Sequence, residues 1–276
     1  MGTKASETAR RYYDRDDVNG FYTAVWGGEN IHIGMYSDAG ESVATAARRT
    51  VTTMAGMVAE HLGPGRMVLD LGAGYGGPAR HLATHFGGHI VAVNISGVQN
   101  RRHHEINAAR RSSGHIDIVT ASFEELPFGD GQFDVVWSQD ALSHSDDQGK
   151  ALREARRVLE PDGRLIFTDL MAANDAAMET LRSVIARTCA ESLPTPGSYY
   201  RQLTENGFAP IDFIDYSGHL LTHYRTITAE TRRRATDLAA HISPPYLEGL
   251  LENLPLWVNA CRDGRLRWGI FHCRAA

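Results

Sequence analysis

The sequence predicts an α/β fold: a doubly wound, mostly parallel sheet of seven strands, with a helical N-terminal lid and helical insertions. Three observations carry this. Between residues 67 and 168, short β-rich apolar runs alternate with helical stretches, the rhythm of consecutive βαβ units. A glycine-rich segment follows the first run and opens a helix, as ligand-binding turns of such sheets do. After Asp169 the rhythm gives way to long helical stretches and two further β-rich runs.

Residues 1–60 are mostly helical, interrupted by an aromatic, glycine-bearing stretch from Tyr22 to Tyr36. Met67-Val68-Leu69-Asp70-Leu71 follows Gly63-Pro64-Gly65 and reads as a buried strand. A helix runs from about Gly77 to Phe86 and is broken by Gly87-Gly88. Ile90-Val91-Ala92-Val93 is the second strand, and Ser96 caps a polar helix reaching about Arg111. His115-Ile116-Asp117-Ile118-Val119 and Phe133-Asp134-Val135-Val136-Trp137 give the third and fourth strands. A helix over Asp146 to Leu159, a turn at Pro161-Asp162-Gly163 and a fifth strand at Arg164-Leu165-Ile166-Phe167-Thr168 follow. Residues 175–206 read as two helices around Leu193-Pro194-Thr195-Pro196-Gly197. Ile211 to Ile214 and Leu266 to Phe271 are the last strands, with helix between them. The implied organisation is a lid at 1–60 and a sheet domain at 61–276, with helical cap insertions at about 172–206 and 217–264.

The chain has 276 residues, 42% of them hydrophobic and 22% charged, enough apolar material for a sizeable core. With 28 basic and 33 acidic side chains the formal charge is −5, which argues against nucleic acid or an anionic membrane as partner. Three cysteines without a CxxC pair, and no leader or spanning segment, point to a cytoplasmic protein acting on a small molecule. No metal is expected, since His103-His104 lack partners at ligand spacing. Asp140 and Asp169 at strand ends leave room for a divalent ion only with a diphosphate substrate.

Gly72-Ala73-Gly74-Tyr75-Gly76-Gly77 formally matches a dinucleotide fingerprint. Asp70, two residues before the first glycine, separates the readings. A carboxylate is awkward beside a pyrophosphate, and suited to an ammonium group. The second strand ends in Asn94, with Gln99 five residues on, where dinucleotide folds place an acid for the ribose hydroxyls. Both amides can donate to and accept from a diol; a plain polar strand end is the alternative.

Leu69 to Gly77 resembles motif I of class I S-adenosylmethionine-dependent methyltransferases, and more narrowly the chain is similar to sarcosine/dimethylglycine N-methyltransferases. The resemblance extends over Tyr12-Tyr13-Asp14, Val25 to Gly34 with its Trp26-Gly27-Gly28 corner, Asn94-Ile95 with Val98-Gln99-Asn100, and Trp137-Ser138-Gln139-Asp140-Ala141 with His144-Ser145. It implies the class I, Rossmann-like methyltransferase fold with S-adenosylmethionine as cofactor. It implies that Asp70, Gly72, Ala73 and Gly74 hold the methionine part, Asn94, Ile95 and Gln99 the ribose, and Ser122 and Phe123 the adenine, with Gln139 completing the set. The implied reaction is methyl transfer to a small-molecule amine. Natural-product enzymes share this shape, so C-methylation of a prenyl or other secondary metabolite is the alternative. Leu170 stands where the osmolyte enzymes have proline, and residues 186–200 differ from them, so the acceptor is the least defined part.

Ligands of doubly wound sheets sit beyond the carboxyl ends of the strands, so the segment after the fourth strand faces the reacting methyl. His144 is the candidate base, because an amine must shed a proton before attacking and an imidazole titrating near 6.5 suits that task. A histidine bonded to a loop backbone is the alternative. Tyr13 is the second catalytic candidate, among N-terminal aromatics able to stabilise a sulfonium by cation–π contact. Tyr22, Trp26, Tyr199, Tyr200 and His223 are candidate acceptor contacts, each of which would serve equally as core or surface. Arg187 and Arg201 would clamp a carboxylate; Phe167 with Tyr199 and Tyr200 would line a prenyl site. Oligomeric state is left open.

Overall fold

Side chains alternate across β1 (Met67–Leu71): Leu69 and Leu71 enter one apolar layer and Val68 the other. β2 (His89–Asn94) repeats the pattern, with Val91 and Val93 on the first side and Ile90 and Ala92 on the second. A strand buried on both faces is a continuous apolar run, which is why these segments pair in parallel at the centre of a sheet. The computed structural model describes residues 4–110, 115–186 and 192–276. β3 (His115–Thr120), β4 (Phe133–Gln139), β5 (Leu159–Ala172), β6 (Phe208–Asp215) and β7 (Leu266–Ala275) complete a seven-stranded sheet in the order β3-β2-β1-β4-β5-β7-β6. β7 runs antiparallel to β5 and β6; the other pairings are parallel.

α1 (Lys4–Tyr13), α2 (Asp16–Val25) and α3 (Val43–Met57) precede the sheet. Ser42 starts α3, its hydroxyl accepting the Thr45 N–H at 3.2 Å. α4 (Gly77–Phe86) and α5 (Gly97–Arg110) link the first three strands, and Ser96 Oγ accepts the Gln99 N–H at 3.1 Å, the cap its sequence suggests. α6 (Gln148–Val158) begins at Asp147, which accepts the Lys150 N–H at 2.9 Å. The turn expected at Pro161 to Gly163 is a bulge within β5: the register against β4 jumps from Phe133↔Leu159 to Val135↔Arg164, and Asp162 takes φ 64°.

Of the expected first helix of 175–206, the described residues hold a 3-10 turn at Met178–Thr180 and the four-residue α7 (Arg182–Ile185); residues 187–191 lie outside the described residues. Leu181, Val184 and Ile185 sink into the core, and Asn253 donates to the Ser183 carbonyl at 2.8 Å, tying α7 to the long helix near the C-terminus. α8 (Pro196–Glu205) starts at a Thr195/Ser198 capping box. α9 (Gly218–Arg233), α10 (Ala235–Leu238) and α11 (Pro244–Arg262) then bridge β6 and β7. A third apolar cluster joins α2, α9 and α11 to Leu170, Ala172 and Trp268 at the end of the sheet, which places the N-terminal helices over the strand ends. No described helix is long and apolar enough to cross a membrane.

Candidate active site

The glycine loop leaves β1 at Leu71. Gly72 sits at φ 76° and Gly74 at φ 53°, left-handed conformations that side chains rarely adopt. The Gly72 and Ala73 N–H groups both donate to the Val93 carbonyl, at 2.8 and 3.1 Å, tying the loop to the end of β2. A Cβ on Gly72 would lie 2.4 Å from the Ala141 Cβ, so the loop passes close under the segment that follows β4. On Gly74 a Cβ would meet Ile31 of the lid at 3.0 Å.

Gly72, Asn94, Ile95, Gln99, Ser122, Phe123, Gln139 and Ala141 line one chamber together with Glu124. Asn94 donates to Gln99 Oε1 at 2.9 Å, leaving Gln99 Nε2 buried and without a protein partner. Gln139 Nε2 and Glu124 Oε2 are in the same condition, and so is Asp70 Oδ2 below the loop. Buried polar atoms are almost always paired, so three such atoms on one chamber wall, with a fourth on Asp70 next to the glycine loop, fit a polar ligand's contacts. Burial pushes the Asp70 carboxyl up to about 7, a cost that an ammonium partner would reverse. The set therefore fits S-adenosylmethionine, whose amino, carboxyl, hydroxyl and adenine groups need just such donors and acceptors. Asp70, Ala73 and Gly74 do not themselves form the chamber wall, whereas Gly72 between them does.

A second chamber adjoins the first. Tyr13, Ile31, Asp140 and His144 line both. The Tyr13 hydroxyl and His144 Nε2 are 2.9 Å apart, linking α1 to a 3-10 turn at Leu142–His144. Asp140, at φ 51°, accepts the Ile33 N–H at 2.6 Å and the Trp268 indole N–H at 2.8 Å. Burial raises the Asp140 carboxyl to about 6 and lowers His144 to about 4. The expectation of an imidazole titrating near 6.5 is thus corrected: desolvation disfavours its charged form, and His144 is neutral at neutral pH.

Apart from Ser143 and Asn253, the rest of the second chamber is aromatic and aliphatic, chiefly Tyr12, Phe21, Tyr22 and Trp26 from the N-terminal segment, Tyr224 from α9, and Tyr246, Leu250, Leu254 and Trp257 from α11. Trp26 donates its indole N–H to the His32 carbonyl and meets Tyr22 edge-on at 5.0 Å; Tyr224 stacks on Trp257 at 4.8 Å. Among the described residues no lysine or arginine forms this wall. The α11 contribution was readable from its sequence as an apolar face, with residues 246, 250, 254 and 257 on one side of a helix. Which cavity that face borders was not.

Three of the expected acceptor contacts lie elsewhere. His223 is fully buried behind Trp26, edge-on to its ring at 5.1 Å and 3.0 Å from the Tyr36 hydroxyl. Tyr199 is buried on the far side of β5, and its neighbour Tyr200 is 55% exposed, because consecutive helical residues point about 100° apart. Phe167 stacks on Phe271 in the core at 4.9 Å, so it lines no prenyl site. Arg201 is exposed on α8 and Arg187 lies outside the described residues.

A methyltransferase domain model matches residues 69–167. Over 271 residues the chain is 43% identical to a sarcosine/dimethylglycine N-methyltransferase of Halorhodospira halochloris, covering 98% of this chain and 97% of that protein. It is 39% identical to a dimethylglycine N-methyltransferase of Parasynechococcus marenigrum (strain WH8102) over 99% of this chain and 97% of the other. A solved structure described as a sarcosine dimethylglycine methyltransferase from Galdieria sulphuraria superposes with a TM-score of 0.87 at 33% identity, covering 94% of this chain and 98% of that one. With the seven-stranded sheet and the donor chamber at its strand ends, these likenesses make the protein an enzyme that draws a methyl group from S-adenosylmethionine for a small-molecule acceptor. The chain belongs to the sarcosine/dimethylglycine N-methyltransferase family of class I methyltransferases.

Proposed function

We propose that the acceptor is the nitrogen of a small N-methylated amino acid, sarcosine or dimethylglycine, and that Tyr13, His144 and Asp140 mediate its encounter with the donor. The observation that carries this is the shared wall: these three side chains border both the polar chamber and the aromatic one. S-adenosylmethionine, when bound, supplies an electrophilic methyl on a sulfonium. Asp70, with the backbone at Gly72, Ala73 and Gly74, takes its methionine end; Asn94, Ile95 and Gln99 take the ribose; Ser122, Phe123 and Gln139 complete the binding. Tyr22 and Trp26 face the acceptor.

The acceptor nitrogen must present a lone pair. Burial holds His144 near 4, so its imidazole stays neutral beside the incoming amine. A base that weak does not keep the amine's proton; the proton leaves to solvent as the acceptor enters. His144 instead engages the Tyr13 hydroxyl and holds the lid across the junction. Positive charge then builds on the nitrogen, facing the Asp140 carboxylate and aromatic rings that stabilise cations by roughly 0.5–2 kcal/mol each. In-line positioning supplies much of the remaining acceleration. A free small molecule rather than nucleic acid is the partner that accords with a charge of −5.

Turnover with S-adenosylmethionine and glycine, sarcosine, dimethylglycine or dimethylethanolamine, read by mass spectrometry, tests the proposal. Dimethylglycine gaining one methyl and sarcosine gaining two is the expected result. No turnover of any amino acid by protein that binds S-adenosylhomocysteine would overturn the acceptor assignment.

A further inference from the structure

Behind the reactive junction lies a buried pair that no part of the mechanism above uses. The Tyr199 hydroxyl, on α8, donates to Asp169 Oδ2 on β5 at 2.5 Å. The same oxygen accepts the Ser143 N–H at 2.7 Å, and Asp169 Oδ1 accepts the Leu170 N–H at 2.8 Å. Tyr199 and Asp169 are both fully buried. Ser143 is the middle residue of the 3-10 turn that carries His144, so one carboxylate oxygen holds both the turn and the tyrosine.

We infer that Tyr199 is a positioning residue for methyl transfer: through Asp169 it fixes the Leu142–His144 turn and thereby the His144 ring against Tyr13. Its own rotamer is locked by edge-on contacts with Phe167 at 5.1 Å and Phe271 at 5.5 Å, so the hydroxyl has one place to point. The turn closes on its own backbone through His144 N–H to Ala141 O at 3.1 Å and Ser145 N–H to Leu142 O at 3.0 Å, and the Asp169 carboxylate adds the side-chain acceptor that its N-cap residue Ala141 does not supply. A short bond to a buried carboxylate is among the strongest a neutral side chain makes. It favours the charged form of Asp169, which burial and the neighbouring Asp140 carboxylate oppose. The titratable groups facing Asp169 are thus Tyr199 from α8 and Asp140 from the end of β4. Losing the hydroxyl leaves Asp169 more readily protonated and the turn less firmly held.

The inference rests on the reading that the Tyr13–His144 contact matters for turnover, and the test separates the two. Tyr199→Phe keeps the ring and removes the bond. We expect kcat to fall roughly 10-fold, the scale of a lost bond to a charged group, with acceptor KM and S-adenosylhomocysteine affinity near wild type. The acid limb of the kcat profile should move to higher pH, a readout that a purely structural role would leave in place. On a His144→Ala background the same change should cost nothing further. If His144→Ala alone keeps wild-type kcat, the junction reading fails and this inference with it. If His144→Ala is slow while Tyr199→Phe keeps wild-type kcat, or the two losses multiply in the double variant, only the positioning role fails. Should Tyr199→Phe not fold, Asp169→Asn carries the same comparison from the other side of the bond.

Discussion

Ile33 and Asp140 join the lid to the sheet: the Ile33 N–H donates to the Asp140 carboxylate at 2.6 Å across a sequence separation of 107 residues. The other oxygen of that carboxylate receives the Trp268 indole N–H from β7, so a single side chain ties three parts of the fold together at the border of the two chambers. Asp140→Ala would leave two buried donors unpaired, each at a cost of about 1–3 kcal/mol. The expected outcome is faster amide hydrogen exchange over residues 30–36 and a raised acceptor KM. Unchanged exchange in that segment would show that the lid is held elsewhere.

Tyr13→Phe removes one neutral hydrogen bond, and kcat should fall by up to about 10-fold while S-adenosylhomocysteine affinity stays within about twofold. His144→Ala should slow turnover at least as much. Because His144 is held down to about 4, the rise of kcat/KM with pH belongs to the free acceptor's own ionisation, and alkali should raise kcat/KM of wild type and His144→Ala in parallel. Selective recovery of the alanine variant at high pH would restore the imidazole as base.

Asp70 provides a calorimetric test of the donor chamber. Its folded carboxyl, raised by burial to about 7, holds a proton at pH 6 that an ammonium partner would displace. Binding of S-adenosylhomocysteine at pH 6 should release up to about one proton, seen as a dependence of the measured enthalpy on buffer ionisation heat. Asp70→Asn should abolish the release and weaken binding. Equal enthalpies in all buffers for the wild type would remove Asp70 from the amino-group contact.

Acid stability follows from buried histidines working against buried carboxylates. His32, His103, His144 and His223 are all depressed by burial, to about 4, 3, 4 and 3. Below 6.5 the unfolded chain therefore binds protons that the native state refuses, and stability falls as pH drops toward 4. Asp70, Asp140 and Asp169, raised to about 7, 6 and 7, act in the opposite sense: the native state retains their protons, and that contribution is lost as pH rises from 4 to 7. His81, also lowered to about 4, acts with the four histidines against the three carboxyls, so Tm should decline between pH 6 and 4.5. Replacing the fully buried His223 with Gln should flatten that decline; an identical slope would mean that other groups dominate it.

The parallel core was legible because each strand is one contiguous run; of the polar chamber's residues, Asn94 and Gln99 were singled out by their place after the second strand, while Ile95, Ser122, Phe123 and Gln139 came only with the family resemblance. Asn94 and Gln99 are five positions apart, and the structure bonds them to each other at 2.9 Å. The aromatic chamber is assembled from segments as far apart as Tyr22, Tyr224 and Trp257, which no local pattern connects. Tyr199 and Tyr200 show the complementary failure: both were candidate acceptor contacts, whereas helical phase sends one inward and the other to solvent. Asp140 was noticed only as an acid at a strand end; its two donors come from residues 33 and 268, beyond the reach of any spacing argument.

The shared wall at Tyr13, Ile31, Asp140 and His144 has an evolutionary consequence. On the donor side of it stand strand ends and tight turns, where nearly every change disturbs the sheet. On the other side stand helices α1, α2, α9 and α11, whose inward residues can be exchanged at the cost of ordinary repacking. Selection acting on this chain can therefore retune which nucleophile is accepted without rebuilding the machinery that activates the methyl group. New acceptor preferences should accumulate first at positions such as Tyr22, Leu250 and Leu254, while Gly72 and Asp70 stay fixed. A library confined to the helical side should yield variants of altered acceptor choice that bind S-adenosylhomocysteine as the parent does.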